Sequence, residues 1–202
     1  TSSAATLTVN LPQWQCLANA SFEGGFVSGV GQSWIQYNVA GSVNCDSSTD
    51  AHGGSFSQQV QSANSSNTGG VYQRVSVVPG EQYTFTAWIK TSSSSVMEGC
   101  LGVDPSGGTD WNSVPAECKD STSSTTWSMQ AVTVTATAGQ VTVFLHARST
   151  KVNSGGYVYF DDVTPDCSVV MPIISQQPIG QSVCPGDMTM FAVSATGQAP
   201  LT

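Results

Sequence analysis

The feature that most constrains the fold is a series of short runs in which apolar and polar residues alternate, separated by clusters of Gly, Asn, Asp and Ser. Alternation with a period of two places successive side chains on opposite faces of a β-strand. The clearest runs cover residues 70–78, 82–90, 130–136, 140–148 and 157–163. Turn signals at Pro79-Gly80 and Ala138-Gly139 predict that the runs flanking each one form a hairpin. Two hairpins and a closing strand predict an all-β protein with a jelly-roll β-sandwich.

Composition agrees with this fold class and excludes several kinds of partner. Only 9% of the residues are charged, and the formal net charge is −8 with five Lys and Arg in total. Neutralising phosphates requires clustered basic side chains, so nucleic acid is excluded, and an anionic polymer is equally unexpected. No apolar run approaches the roughly 20 residues that a membrane helix needs. We therefore expect no membrane insertion.

The six cysteines indicate an oxidising compartment. Disulfides persist in secreted proteins and stiffen loop-rich β structure. The chain contains neither a Cys-x-x-Cys pair nor a His-x-x-x-His pair. A zinc site therefore has little support. We expect a protein that is secreted, or held at the cell surface, with disulfide bonds.

Both ends of the chain resemble bacterial immunoglobulin-like repeats. The opening SSAATLTVN resembles the last strand of such a repeat, and the tail, with QQP, VCPGD and ATGQAPLT, resembles the first strands. The resemblance implies three parts: a preceding fragment and linker at 1–12, a central domain at 13–168, and a truncated following repeat at 169–202. Cys184 falls in this last part, and its partner is expected beyond it. The alternative is that both ends supply strands to the central domain.

The central part carries, in order, NASFEGGF, GQSW, HGGSFSQQV, VYQRVSVVPGEQYTFTAWIK, TTWSMQAVTVTA and YVYFDDV. This series resembles the carbohydrate-binding modules fused to bacterial xylanases, cellulases and laminarinases, within the galactose-binding-like jelly-roll group. The resemblance implies a non-catalytic module that binds a polysaccharide or another glycan. It is specific for the fold and only suggestive for the ligand, because the group includes members that bind no sugar.

The same resemblance implies a structural calcium ion. The family commonly holds Ca²⁺ where its first and last strands meet, and the matching carboxylates are Glu23 and Asp161. Carbonyl oxygens of Ser21 and of the turn at 52–55 could complete the irregular oxygen set that Ca²⁺ accepts. The alternatives are that both carboxylates are exposed charges at strand ends, or that Asp162 is the ligand.

Sugar recognition usually pairs an aromatic face with hydrogen-bonding groups. Sorting each strand by alternation leaves an aromatic ring beside a cation on the face away from the core of three strands. The candidate ligand-binding residues are Tyr72 and Arg74, Trp88 with Lys90, and Phe144 with His146 and Arg148. If the strands are neighbours, these residues form one face. The alternative is that loops cover this face and that the rings are packing residues.

A long loop between Cys100 and Cys118 carries Trp111, which is either a ligand clamp or an anchor that folds back onto the sheet. A disulfide between those two cysteines would fix the loop. Cys16 precedes the first strand and Cys167 follows the last. Because those strands are expected to lie antiparallel, we expect these two cysteines to pair. Cys45 is then unpaired, unless it takes Cys16 and leaves Cys167 free.

Independent catalysis is not expected. Glycoside hydrolysis requires two carboxylates facing each other, and most of the 13 acidic residues fall in turns. No Gly-x-Ser-x-Gly elbow is present either. The rival to a sugar-binding module is a structural module of an extracellular fibre, surface layer or adhesin. In that case the end fragments would join neighbouring immunoglobulin-like modules, or form a homopolymer by strand addition.

Overall fold

The regular structure of the described residues consists almost entirely of antiparallel strands. The computed structural model describes residues 16–114, 122–165, 173–176, 184 and 194–196. Within them the strands are β1 Phe26–Val27, β2 Val30–Gly31, β3 Ile35–Ala40, β4 Asn44–Ser48, β5 Ser57–Ser62, β6 Thr68–Ser76, β7 Gln82–Thr91, β8 Met97–Asp104, β9 Ser128–Thr135, β10 Gln140–Ser149, β11 Gly156–Thr164, β12 Ile173–Gln176 and β13 Ser194–Thr196. The described residues also include one 3₁₀ turn, Trp111–Ser113.

Two sheets form a sandwich. One has four strands in the order β3-β6-β10-β8, and the other has five in the order β4-β5-β11-β7-β9. Every neighbouring pair is antiparallel. This arrangement confirms the predicted all-β jelly-roll sandwich. A separate short pair, β1 with β2, precedes the sandwich strands.

The core lies between the sheets, on the faces that strand alternation assigns to it. Val143 and Leu145 of β10 face inward from the four-stranded sheet, while Phe85, Ile89 and Phe160 face inward from the five-stranded sheet, all buried. Burying each such side chain contributes about 1.5–3 kcal/mol relative to leaving it exposed. The intervening residues of the same strands therefore lie on the two outer faces of the sandwich.

The two predicted hairpins are wrong in the same way. The turn at Pro79-Gly80 joins β6 to β7, but β6 belongs to the four-stranded sheet and β7 to the five-stranded sheet. The turn after β9 likewise passes the chain between sheets to β10. Backbone bonds tie these corners together, from Val77 N to Gly139 O (3.0 Å) and from Gly80 N to Ala136 O (2.7 Å). Each tight turn is therefore a corner between sheets.

The first described residues lie beside the end of the closing strand β11. Leu17 N donates to Pro165 O over 2.8 Å. Cys16 is disulfide-bonded, and so is Cys100. Their predicted partners, Cys167 and Cys118, lie outside the described residues, so both pairings stay predictions. The alternative pairing of Cys45 with Cys16 is wrong, because Cys45 is a free, half-buried thiol.

The chain divides into two compact units, Thr1–Cys167 and Ser168–Thr202. In the second unit β12 pairs antiparallel with β13, with Ile173 opposite Thr196. Cys184 is a free, exposed thiol. The segment at 1–12 lies outside the described residues, and the immunoglobulin-like character of both ends stays a prediction. A search of the described residues for a helix with the length and apolarity to cross a bilayer finds none.

Candidate functional site

The outer face of the four-stranded sheet gathers aromatic rings from three neighbouring strands. Phe144 of β10 lies opposite Tyr72 of β6, and their ring centroids are 5.6 Å apart. Tyr37 of β3 and His146 of β10 lie on either side of Gly70. Because Gly70 has no side chain between them, the Tyr37 hydroxyl reaches His146 Nδ1 over 2.8 Å.

Trp111 covers part of this face. Its ring stacks on His146 with a centroid distance of 4.0 Å and an interplanar angle of 5°. It meets Phe144 edge-on at 5.6 Å. Gly102 of β8 makes room for the indole, since a Cβ there would lie 2.6 Å from Trp111 Cζ3. The sheet therefore leaves a space at Gly102 that the indole ring fills.

The loop that carries Trp111 is held by a buried carboxylate at the end of β8. Asp104 Oδ1 accepts hydrogen bonds from Ser106 N and Oγ, each 2.7 Å, and Oδ2 accepts one from Ser113 Oγ at 3.2 Å. Asp110 caps the 3₁₀ turn by accepting from Asn112 N. These bonds keep the turn close to the sheet, so Trp111 is an anchor of its loop.

Burial keeps the polar rings of this cluster uncharged. Burial, with Arg148 nearby, lowers the pKa of His146 to about 3. Burial, with a smaller contribution from Cys45, raises the pKa of Tyr37 well above its ordinary value. Their hydrogen bond therefore joins a neutral imidazole to a protonated phenol at neutral pH.

Charged side chains form the rim of the cluster. Arg148 Nε and Nη2 both contact Glu98 Oε2, at 2.7 and 2.6 Å, across β10 and β8. Arg74 projects from β6 into solvent. Tyr37 and Tyr72 are half-buried, and both rings contact the buried Phe144 ring. The face combines aromatic surface with hydrogen-bond donors and acceptors.

The structure unites most of the predicted ligand-binding residues and separates one of them. It places Tyr72, Arg74, Phe144, His146, Arg148 and Trp111 on this one face. The expectation that Trp88 shares it is wrong, because β7 belongs to the opposite sheet. Phe144, His146 and Trp111 are only 0%, 3% and 7% exposed, so they form a floor beneath the more accessible rings.

Sequence reasoning missed Tyr37. Residues 35–40 form β3, an edge strand whose side chains are mostly exposed or half-buried. The run IQYNVA does alternate, with Ile35, Tyr37 and Val39 on one face. That alternation was the available signal. The run is short and lacks a flanking turn such as Pro79-Gly80 or Ala138-Gly139, which marks four of the five predicted runs.

Trp88 lies under a turn on the five-stranded sheet. The His52 ring stacks on it at 3.8 Å and 13°. His52 Nδ1 also contacts Asp162 Oδ2 at 2.7 Å. The next outward residue of β7, Lys90, contacts both carboxylate oxygens of Asp50, at 2.8 and 2.6 Å. Contacts on both sides therefore fix the turn that covers Trp88.

The predicted calcium ligands lie beside this same turn, where backbone amides face them. Glu23 Oε1 accepts from Ser55 N and Phe56 N, each at 2.7 Å. Asp161 Oδ2 accepts from His52 N and Gly53 N at 2.8 and 3.1 Å.

Burial raises the pKa of Asp161 to about 6, against the opposing effect of the amide bonds and with a smaller contribution from Asp162. The described residues contain no group of three or more His, Cys, Asp or Glu side chains that could hold a metal ion. These amide bonds leave other lone pairs of both carboxylates open, so they do not test calcium binding. The carboxylates hold the turn directly, and calcium binding stays an untested prediction.

A β-sandwich with an aromatic outer face and a polar rim has the features of a ligand-binding module. A family model described as "Carbohydrate binding domain" (CBM_4_9) matches residues 16–153. The chain belongs to this family of carbohydrate-binding domains. It is therefore a non-catalytic binding domain, as its sequence predicted.

Several solved structures are similar to this chain at low sequence identity. The CBM22-1 xylan-binding domain of Paenibacillus barcinonensis Xyn10C is 17% identical, with 71% of this chain and 88% of that chain covered and a TM-score of 0.49. TmCBM61, solved with β-1,4-galactotriose, is 17% identical, with 72% and 92% covered and a TM-score of 0.48. Tailspike protein 4 of bacteriophage CBA120 is 14% identical, with 73% and 20% covered and a TM-score of 0.51. No curated protein matches the sequence.

Proposed function

We propose that this chain binds a polysaccharide on the outer face of its four-stranded sheet. The observation that carries the proposal is the pair of half-buried rings, Tyr37 and Tyr72, which lie 6.1 Å apart beside an aromatic floor. The C–H face of a pyranose ring packs against an aromatic ring, while its hydroxyl groups need hydrogen-bond partners. This face offers both kinds of contact.

The rim supports an uncharged ligand. Arg148 is paired with Glu98, which leaves a neutral pair that can both donate to and accept from hydroxyl groups. Arg74 is exposed on the same face of β6 as Tyr72, and its five N–H donors suit a polyhydroxylated ligand. Because both central rings are uncharged, no net charge has to be desolvated at the middle of the face.

We also propose that the domain works outside the cell as part of a larger secreted protein. The disulfide bonds of Cys16 and Cys100 support an oxidising compartment. The second compact unit at Ser168–Thr202 supports a chain of several modules. Neighbouring immunoglobulin-like modules and a homopolymeric assembly remain predictions from the sequence alone.

Affinity gel electrophoresis tests the binding proposal. Soluble xylan, mixed-linkage β-glucan and β-1,4-galactan are cast separately into native gels, and migration is compared with that in a gel without polymer. At least one polymer is expected to retard the protein, and Tyr72→Ala is expected to weaken that binding roughly tenfold or more, as loss of an aromatic contact at a binding centre does.

Met129→Ala is the matched control, because Met129 is a large exposed side chain on the opposite sheet. It should migrate like the wild type in every gel. Absence of retardation by every polymer would overturn the proposal and favour the rival, a structural module of an extracellular fibre, surface layer or adhesin. Retardation unaffected by Tyr72→Ala would place binding elsewhere on the molecule.

A further inference from the structure

The five-stranded sheet presents a second row of aromatic rings on its own outer face. Tyr157 and Tyr159 are successive outward residues of β11, the central strand of that sheet. Both are half-buried, and their ring centroids lie 6.4 Å apart with an angle of 32° between the planes. The two rings form a short platform along the strand, which we call the tyrosine strip.

Amide side chains line one side of the tyrosine strip. In the neighbouring strand β5, Gln61 lies opposite Tyr157 and Gln59 lies opposite Tyr159. Gln61 Nε2 is 3.4 Å from the Tyr157 hydroxyl, and Asn44 Nδ2 donates to Gln61 Oε1 over 3.3 Å. Both glutamines are half-buried, and each carries a donor and an acceptor. These groups are suited to sugar hydroxyls.

An ion pair lines the other side. Lys90 of β7 lies opposite Tyr159, with its ammonium 5.9 Å from the ring centroid. Both oxygens of Asp50 contact that ammonium, so the pair is neutral overall. Burial, with Asp50 and Tyr157 adding to it, raises the pKa of Tyr159, so its hydroxyl stays protonated. The strip therefore carries no net charge and suits an uncharged ligand.

The strip has a defined end. The next outward residue of β11 after Tyr159 is Asp161, which is fully buried beneath the turn that carries His52. In β7 the same turn covers Trp88. Along β11, the accessible part of the face is thus the row formed by the two tyrosines and their flanking amides. The two tyrosine rings are accessible to a ligand, whereas the Trp88 ring is already stacked on the His52 ring.

We propose that the tyrosine strip is a second binding surface for an uncharged polysaccharide chain. The ligand class rests on the proposed function, but the residues are independent of the first face. The two sheets pack through a common core, so their outer faces point away from each other. One domain can then hold two separate polymer chains and bridge them.

The test compares substitutions on each face, using soluble xylan, mixed-linkage β-glucan and β-1,4-galactan as probes. Affinity electrophoresis measures binding, and dynamic light scattering of protein mixed with polymer measures bridging. The variants are Tyr157→Ala/Tyr159→Ala, Tyr72→Ala and their combination. Tyr157→Phe/Tyr159→Phe keeps the rings, and Gln59→Ala removes one amide at little risk to folding. Thermal melting checks that each variant is folded.

Binding is expected to weaken roughly tenfold or more in Tyr72→Ala and severalfold in Tyr157→Ala/Tyr159→Ala. Each single-face variant should also lose the growth in particle size, while the combined variant loses binding altogether. The Phe variant should keep most of the binding, and Gln59→Ala should weaken it. The proposal is overturned if the Tyr157→Ala/Tyr159→Ala protein binds and bridges like the wild type. In that case the outer face of the four-stranded sheet is the binding surface and the tyrosine strip is not. The proposal is also overturned if Tyr72→Ala alone removes all binding. A wild-type protein that binds none of the polymers contradicts both faces.

Discussion

At the scale of single residues, His146 shows how burial of a titratable ring couples stability to pH. Its folded-state pKa of about 3 lies below the value of roughly 6.5 that an unfolded chain gives it. Between those values the unfolded state binds more protons than the folded state, so stability falls as pH is lowered through this range. The contribution of the neutral ring is fully present above the unfolded pKa and is lost on acidification.

We predict that the wild type loses up to about 3 kcal/mol of unfolding free energy between pH 7 and pH 4 relative to His146→Gln, measured by urea denaturation. Glutamine keeps a partner for the Tyr37 hydroxyl but does not titrate. Asp161, whose pKa is raised to about 6, acts with the opposite sign in the same range, and the comparison cancels its effect. Parallel pH profiles for the two proteins would contradict the buried neutral state of His146.

Gly70 is a second residue on which the aromatic face depends. A Cβ at this position would lie 1.8 Å from Leu145 O, a backbone atom of β10 that cannot move aside. Gly70→Ala is therefore expected to cost about 2 kcal/mol or more of unfolding free energy, since the strands must separate. Gly139→Ala is the matched control, because no atom lies within 4 Å of its added Cβ. Equal denaturation midpoints for the two variants would show that β6 and β10 can shift freely.

At the scale of elements, the sequence predicted which segments become strands but not how they are connected. Alternation located β6, β7, β9, β10 and β11 closely. A tight turn reverses the chain equally well within one sheet or between two, and local turn chemistry does not distinguish these outcomes. Pairing across the sandwich depends on contacts distant in sequence, such as the bond from Val77 N to Gly139 O. The turn residues alone therefore could not predict that these two turns connect the two sheets.

The turn at 52–56 is a further element whose support can be measured. Glu23 and Asp161 accept its amide hydrogens directly, and the predicted calcium ion is tested by melting: a bound ion would raise the melting temperature, and EDTA would lower it again. Glu23→Gln should lower the melting temperature by a few degrees, because the amide is a weaker acceptor than the carboxylate. Differential scanning fluorimetry measures both effects. A calcium-dependent rise in melting temperature that Glu23→Gln abolishes would confirm the predicted metal site.

At the scale of the whole molecule, the residues of the site were predicted strand by strand, and one of them was assigned to the wrong sheet. Sorting each strand by alternation correctly put Tyr72 and Phe144 on a face away from the core. The same rule was correct for Trp88, which also faces away from the core, but on the other sheet. A period of two assigns inside and outside and carries no information about which sheet a strand joins. The assignment of strands to the two sheets therefore decides which outward-facing rings are neighbours.

The most direct test of a polysaccharide-binding face is a nuclear magnetic resonance titration of the isotope-labelled protein with oligosaccharides from the polymer that retards it most. We predict shifted amide resonances in β3, β6 and β10, centred on Tyr37 and Tyr72, with their loss in Tyr72→Ala. Resonances that stay unchanged along these three strands at saturating oligosaccharide would contradict the account.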